Sequence, residues 1–514
     1  MGLHWFDSLI FITFFAIAIG TSLYKSRRET SGEDFFLASR ALLWPLIGLS
    51  LIAANISTEH FVGMSGQGAG AMGMAIASYE WIAAVTLVFV ALFFLPRFLR
   101  SGIYTIPEYL EYRYNAAARA IMAFYLIVIY IAVSISAVVY SGALTLQTIF
   151  GMDLVFAVWL IGGIAALYAT WGGLKAVAWA DLFQGSALII GGVITLILGF
   201  KAVGGVDSFL ETNADKLHMI LPSDDPVLPW TALIIGIWIP NFYYWGLNQF
   251  ITQRALAART LRHGQLGIMF AATLKLFIPF IIIFPGIMAF QLYSADLTAP
   301  GATMDAAYPL LIRNLVPIGL RGFIFAAITG AVISTLGSML NSVSTILTMD
   351  LYKRHWNRDA SPSSIVKIGR ISTLIFVVIV CLIAPSLGTP RFHGIFTYIQ
   401  EFQGYISPGI LAAFVFGLLF KRAPAAAGVT ALLMSVPVYG FLQWKFGEIA
   451  FLNRMAISFA VTIAAMWLIT LWRPLLEPKV MPVREGFDLT ASVSVKWYGG
   501  FLILATVALY ALFW

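Results

Sequence analysis

The chain has 514 residues, 60% of them hydrophobic and 11% charged, with a formal net charge of +7 and a mean hydropathy of +0.89. A soluble protein of this size cannot hide so much apolar surface, and the short alternating segments of a β-barrel are missing. The fold class is therefore an all-α polytopic membrane protein set in a lipid bilayer.

In chain order, apolar runs predict fourteen transmembrane helices, near residues 4–24, 41–72, 75–98, 119–149, 153–172, 181–203 and 228–252. The series continues near 262–293, 319–350, 366–386, 391–419, 424–443, 452–472 and 494–514. The first run has no basic residue before it and several after it, the reverse of a cleaved signal peptide, so it is expected to remain a span. Alternate connections are basic. Lys25, Arg27, Arg28 and Arg40 follow the first span, and Arg97, Arg100, Arg113, Lys175, Arg254, Arg259 and Arg262 continue the pattern. Lys353, Arg354, Arg358, Lys421, Arg422, Arg473, Lys479 and Arg484 complete it. By the positive-inside rule these loops face the cytoplasm and both termini lie outside it, in a multi-pass cell (inner or plasma) membrane protein. Charge spread over loops does not make a nucleic-acid surface. The single Cys381 excludes disulfides and reads as a small packing residue.

A charge at the bilayer centre costs about 2.5–3.5 kcal/mol, so Glu59, His60, Glu80, Lys275 and Glu401, all inside predicted spans, need a reason to be there. The second span reads "SLIAANISTEHFVGMSGQG". Asn55, Ser57 and Thr58 compete with helical hydrogen bonding, so this stretch is either a break between two half-helices, which frees carbonyls for a hard cation, or an unbroken helix whose polar side chains bond the preceding turn. Gly68, Gly70 and Gly73 spell G-x-G-x-x-G without a preceding strand and point to close helix packing. In the ninth span Ala331, Ser334 and Thr335 share one face at i, i+3 and i+4; they offer three oxygens to an ion, or grip their own backbone or a neighbouring helix. The seventh span gathers Asn241, Tyr243, Tyr244, Trp245, Asn248 and Gln249. Amides beside aromatic faces suit a polyhydroxylated ligand, and an interfacial aromatic belt is the alternative. "TYIQEFQGYISPG" in the eleventh span, with Gln400 and Gln403, repeats the theme.

The segments "SLIAANIS", "AIASYEW", "GIYTIPE", "YYWGLNQFITQR", "SMLNSVSTILTMDLYK" and "YIQEFQGYISPGILA" resemble the sodium–solute symporter family, and within it the sodium–glucose/galactose branch. The resemblance implies a leading helix (about 4–24), a five-plus-five inverted-repeat core with broken helices (about 41–203 and 228–419) and trailing helices (about 424–514), forming one transmembrane unit. It implies a Na⁺ site, the co-transported ion, built from the carbonyls of Ala53, Ile56 and Ala331 and the hydroxyls of Ser334 and Thr335. Asp181 matches a residue of cation handling, with a helix N-terminal cap as the structural alternative. Sugar contacts carry over to His60, Glu80, Asn241, Lys275 and Gln400, with Tyr244 stacking on the ring as inner gate. Asn55 would hydrogen-bond Tyr244, Trp245 lies beside that gate, and Met64, Tyr79 and Phe396 match an apolar outer cap. Glu80 and Lys275 make sense as partners. His60 stands where bacterial galactose-transporting members carry glutamine, and Ala83 replaces a sugar-reaching serine, which leaves the sugar open. The expected function is Na⁺-coupled import of a monosaccharide such as glucose or galactose by alternating access; the alternative is another small solute (inositol, sialic acid or other carboxylate). No HExxH or G-x-S-x-G motif suggests an enzyme, and no protein partner is predicted.

Overall fold

The computed structural model describes residues 5–26, 37–171, 174–388, 395–484, 486, 488–490 and 492–514; Arg27, Arg28 and the side chains of Lys25 and Lys175 lie outside the described residues. Among the described residues, regular structure is helical apart from two isolated bridges, Leu42–Ala258 and Leu221–Pro229. Nine helices are long and apolar enough to cross a membrane, and two bent helix pairs each pass as one broken span. Two shorter apolar helices and a run of short pieces around residues 230–256 fill the remaining places predicted from the sequence.

In chain order the spans are α1 (Trp5–Ser26), α2a (Trp44–Asn55) with α2b (Glu59–Ala69), α3 (Gly73–Ser101), α4 (Ala116–Thr148) and α5 (Leu154–Trp171). Then come α6 (Leu174–Ala202), α7a (238–247) with α7b (Gln249–Leu256), α8 (Leu261–Leu297), α9 (Leu320–Trp356) and α10 (Pro362–Ile383). The last are α11a (Ile395–Gln403) with α11b (Ser407–Leu419), α12 (Ala425–Lys445), α13 (Phe451–Trp472) and α14 (Val493–Leu512).

The second span is broken where its polar run stands. Helix α2a ends at Asn55, Ile56 is extended (φ −77°, ψ 96°), and α2b leaves at 56° to α2a. The turn restarts on Ser57, whose hydroxyl accepts the Glu59 N–H at 3.3 Å and whose carbonyl accepts the His60 N–H at 3.0 Å. A helix that stops in mid-membrane leaves carbonyls without intrahelical partners, which hydrocarbon tolerates only inside a protein cavity. The seventh span breaks at Asn248, also extended (φ −85°, ψ 124°), and the eleventh bends by 48° between Gln403 and Ser407.

Small residues let the flanking helices close on the broken one. A Cβ on Gly185 of α6 would lie 2.7 Å from the Ala53 Cβ, and one on Gly286 of α8 only 2.2 Å from the Ser65 carbonyl oxygen. The G-x-G-x-x-G stretch packs closely as well: a Cβ on Gly68 would lie 2.8 Å from Ile283. Helix α6 begins at Leu174, so Asp181 lies inside it and the cap alternative fails. Arg254, expected in a loop, is buried in α7b. Arg113 does lie at a helix end, and its guanidinium donates to the carbonyls of Gly417, Phe420 and Ala423 (2.6–3.1 Å), closing the end of α11b.

Asp305, in the connection between α8 and α9, ties two of the broken spans together. Its Oδ2 accepts the Ile395 N–H (3.2 Å) at the start of α11a, and a Cβ on Gly66 of α2b would lie 2.8 Å from its Oδ1. Burial pushes the carboxyl up to about 7, against the lowering effect of that N–H. A pKa raised by folding adds stability that is complete below the unfolded value near 4 and is lost as pH rises through about 7. Thermal stability of the detergent-solubilised protein should therefore fall between about pH 4 and 7 with a slope of at most about 1.4 kcal/mol per pH unit from this group, and level off above that. Asp305→Asn should flatten that fall; parallel curves for wild type and variant would remove Asp305 as its cause.

Candidate functional site

The breaks converge on one cavity. Asn55, Glu59 and His60 enter it from the interruption of α2, Tyr79 and Glu80 from α3, and Ser134 from α4. Pro240, Asn241, Tyr244 and Trp245 come from α7a, Met339 from α9, and Phe396, Ile399, Gln400 and Gln403 from α11a. Counted out to its solvent mouth, the space between them is about 580 Å³, open solvent included. Amides, a hydroxyl, an imidazole and two carboxylates alternate with aromatic rings. Tyr79 and Phe396 meet edge to face at 5.0 Å, and Tyr244 meets Trp245 at 5.2 Å and Phe250 at 5.6 Å.

Behind this wall stands Lys275 of α8, with no exposed surface. Its ammonium bonds the Glu80 carboxylate at 2.5 Å and the Asn55 amide oxygen, and lies 4.8 Å from the Trp245 ring centre. Glu80 also faces the His60 Nε2 at 3.4 Å. Asn55 then donates from its Nδ2 to the Tyr244 hydroxyl at 3.0 Å. One continuous chain of contacts thus joins α8, α3, the α2 break and α7a. Asn241 is anchored by donation to the Ile237 carbonyl (3.0 Å), which leaves its amide oxygen as an acceptor.

A second polar cluster lies among α2a, α6, α7b and α9. Asp181 accepts from the hydroxyls of Ser50 and Ser334 and from the Arg254 guanidinium (3.0 Å). Arg254 further donates to Ser50 (2.6 Å) and Ser338 (2.7 Å), and Ser338 donates to the Ser334 carbonyl (2.8 Å). Next to it, the Thr335 hydroxyl donates to the Ala54 carbonyl at 3.3 Å, so α9 grips α2 where the latter stops being helical. All members are buried, and the Asp181–Arg254 pair keeps two charges neutral in the membrane interior.

Of the residues singled out from the sequence, His60, Glu80, Asn241, Tyr244 and Gln400 line the cavity, together with Asn55, Tyr79, Trp245 and Phe396. Lys275 stands behind Glu80, and Met64 is buried beside the cavity without lining it. Ala53, Ile56, Ala331, Ser334 and Thr335 are all buried, with Ser334 turned to Asp181. Sequence reasoning gave no role to Glu59, Ser134, Met339 or Arg254. Ser134 and Met339 carry no signal within their apolar runs. Arg254 had one, because a buried Asp181 demands a cation.

The Sodium:solute symporter family matches residues 35–434. The chain is 39% identical to a sodium/glucose cotransporter of Vibrio parahaemolyticus, over 100% of this chain and 99% of that one. It is 33% identical to a rabbit (Oryctolagus cuniculus) sodium/myo-inositol cotransporter 2, over 85% and 69% of the two chains. A solved Na⁺-coupled sialic acid symporter superposes with a TM-score of 0.81 at 23% identity, covering 91% of this chain and 98% of that one, which shows the shared fold. On this evidence the chain belongs to the sodium:solute symporter family, as a multi-pass membrane protein that moves a solute together with Na⁺.

Proposed function

We propose that the protein imports a monosaccharide such as glucose or galactose, driven by Na⁺ entering down its gradient. The observation that carries this reading is the cavity itself, where amide, carboxylate and imidazole groups face aromatic rings across one shared space. Polar groups of this kind hydrogen-bond hydroxyls while a ring covers an apolar C–H face. The 39% identity to a sodium/glucose cotransporter supports it.

In the proposed arrangement His60, Glu80, Asn241 and Gln400 bind the hydroxyls, and Lys275 holds Glu80 ionised and in place. Tyr244 closes the inner side beside Trp245; Met64, Tyr79 and Phe396 close the outer side. Na⁺ takes the carbonyls of Ala53, Ile56 and Ala331 and the hydroxyls of Ser334 and Thr335, drawing α9 onto the α2 break. Asn55 sits on that break and bonds Tyr244, so ion occupancy is felt at the gate. When Na⁺ leaves inward past Asp181, α2 relaxes, Tyr244 moves and the sugar follows. The inverted repeats run about 41–203 and 228–419, both termini face away from the cytoplasm, and the membrane is the cell membrane. One charge crossing about 100 mV yields roughly 2.3 kcal/mol, and a tenfold Na⁺ gradient adds about 1.4, enough for several-hundredfold accumulation.

Inositol is the second reading, a neutral polyol of similar size favoured by the likeness to a sodium/myo-inositol cotransporter. Sialic acid and other carboxylates fit less well, because two carboxylates already line the cavity. Uptake of glucose, galactose, fucose, inositol and sialic acid into proteoliposomes decides among them. A hexose should accumulate in Na⁺ and not in K⁺ or choline; uptake indifferent to the cation would refute the coupling, and uptake of inositol or sialic acid alone would refute the sugar.

Ser334→Ala removes one ion ligand of the proposed set and should raise the Na⁺ concentration for half-maximal uptake about tenfold, a hydrogen-bond-sized loss. An unchanged Na⁺ dependence would strike Ser334 from the site. Lys275→Met leaves Glu80 charged and unpaired in the membrane, costing about 3–5 kcal/mol, so it should expel the protein from the monodisperse fraction in detergent. Adding Glu80→Gln should restore monodispersity without restoring uptake. Full transport by the double variant would show that the pair serves folding alone.

A further inference from the structure

The cavity holds a carboxylate that the proposed transport cycle does not use. Glu59 opens α2b, is 6% exposed, and lines the same space as Glu80. Glu80 has its counter-charge, Lys275 at 2.5 Å, with the His60 Nε2 at 3.4 Å. Lys275 is fully engaged, by Glu80, by the Asn55 oxygen and by the Trp245 face. Among the described residues no Lys, Arg or His nitrogen lies within 4.0 Å of the Glu59 carboxylate. A carboxyl group buried in a membrane protein without a cation neutralises itself by holding a proton, and exchanges that proton for a cation that comes within reach. The cavity is thus bordered by two carboxyl groups and one ammonium, and that ammonium is paired with Glu80.

A second observation points the same way. The buried side-chain oxygen of Gln403, on α11a in the same cavity wall, has no hydrogen-bond partner among the described residues, and Asn241 presents its amide oxygen after donating to Ile237. The walls thus offer an acidic side chain without a counter-charge and amide oxygens ready to accept. The group that complements both is an ammonium, a cation with three donors and no acceptor.

We propose that Glu59 is a specificity residue that selects, among polyhydroxylated solutes, those bearing a protonated amine, such as amino sugars. The carboxylate accepts from the ammonium while the remaining polar wall handles the hydroxyls. A solute carboxylate meets the opposite field and is rejected. This inference rests on reading the cavity as the solute site.

The test measures Na⁺-dependent uptake of radiolabelled glucosamine and glucose separately, in the same proteoliposomes, for wild type, Glu59→Gln and Glu59→Asp. The wild type should favour glucosamine over glucose at least about tenfold in uptake efficiency, the size of one charge-assisted hydrogen bond. Glu59→Gln should shrink that ratio about tenfold, and Glu59→Asp should keep most of it. The wild-type ratio decides the first half even if Glu59→Gln fails to fold. Equal uptake of the two sugars, or a ratio unmoved by Glu59→Gln, overturns the inference and leaves the sugar reading standing. A shift in Na⁺ dependence with the ratio intact also overturns it, by making Glu59 a cation-handling group. Failure to take up either sugar sinks the sugar reading and the inference with it.

Discussion

The ammonium of Lys275 must be neutralised inside the bilayer, and the way this is done organises the whole site. A lone cation at this depth is costly. Glu80 supplies the charge and Asn55 supplies an oxygen at the point where α2a ends. That choice of partner matters because Asn55 is also the last helical residue before the break. The pair therefore fixes α3 against α8 and pins the loose end of α2a with the same contact. Having spent its oxygen on Lys275, Asn55 has only its amide N–H₂ left, and that reaches Tyr244. The neutralisation of Lys275 and the anchoring of the Tyr244 hydroxyl come from a single side chain.

The second buried pair follows the same logic on the other side of α2a. Arg254 and Asp181 neutralise one another, and the serines around them fill the donor and acceptor positions the pair leaves open. A buried pair of this sort gives little net stability, since desolvation offsets most of the attraction. What it does give is a polar layer between α2a, α6, α7b and α9 in which neither charge is left unpaired. Small residues at the contacts, with Gly185 against Ala53 as the tightest, keep that layer thin enough for the helices to share it.

Much of this was legible in the sequence, because hydrocarbon imposes severe rules. The span pattern followed from apolar runs alone, whereas the side chains at Asn55–Ser57 left a break and an unbroken helix both open, and the family resemblance favoured the break. The pairing of Glu80 with Lys275 followed from the cost of leaving either alone. Three features were harder. Arg254 reads as one more inner-loop cation, since the pattern that places basic residues near the cytoplasm does not say which of them turn inward. The start of α6 lies seven residues before the apolar run suggested, because Lys175 and Trp179 do not look like mid-membrane residues. Ser134 and Met339 reach the cavity only through the packing of α4 and α9, which neighbouring residues in the chain do not reveal. The pattern of misses is consistent: local chemistry shows in sequence, but which faces meet is decided by tertiary packing.

The two clusters are linked because α2 belongs to both. Its last helical turn touches Thr335 through the Ala54 carbonyl and Lys275 through the next residue, Asn55. Any change in how α9 holds that carbonyl must act on a segment with no helical continuation to absorb it, since Ile56 is already extended. A continuous helix would spread such a displacement over many hydrogen bonds. A broken one passes it to the neighbouring side chain, here the residue that hydrogen-bonds the Tyr244 hydroxyl at the cavity wall. The path from the Ala54 carbonyl to the Tyr244 hydroxyl thus runs through one residue, Asn55. A span repaired to unbroken helix would close its carbonyls into helical hydrogen bonds and so remove both the free carbonyls and the hinge on which the proposed transport cycle depends.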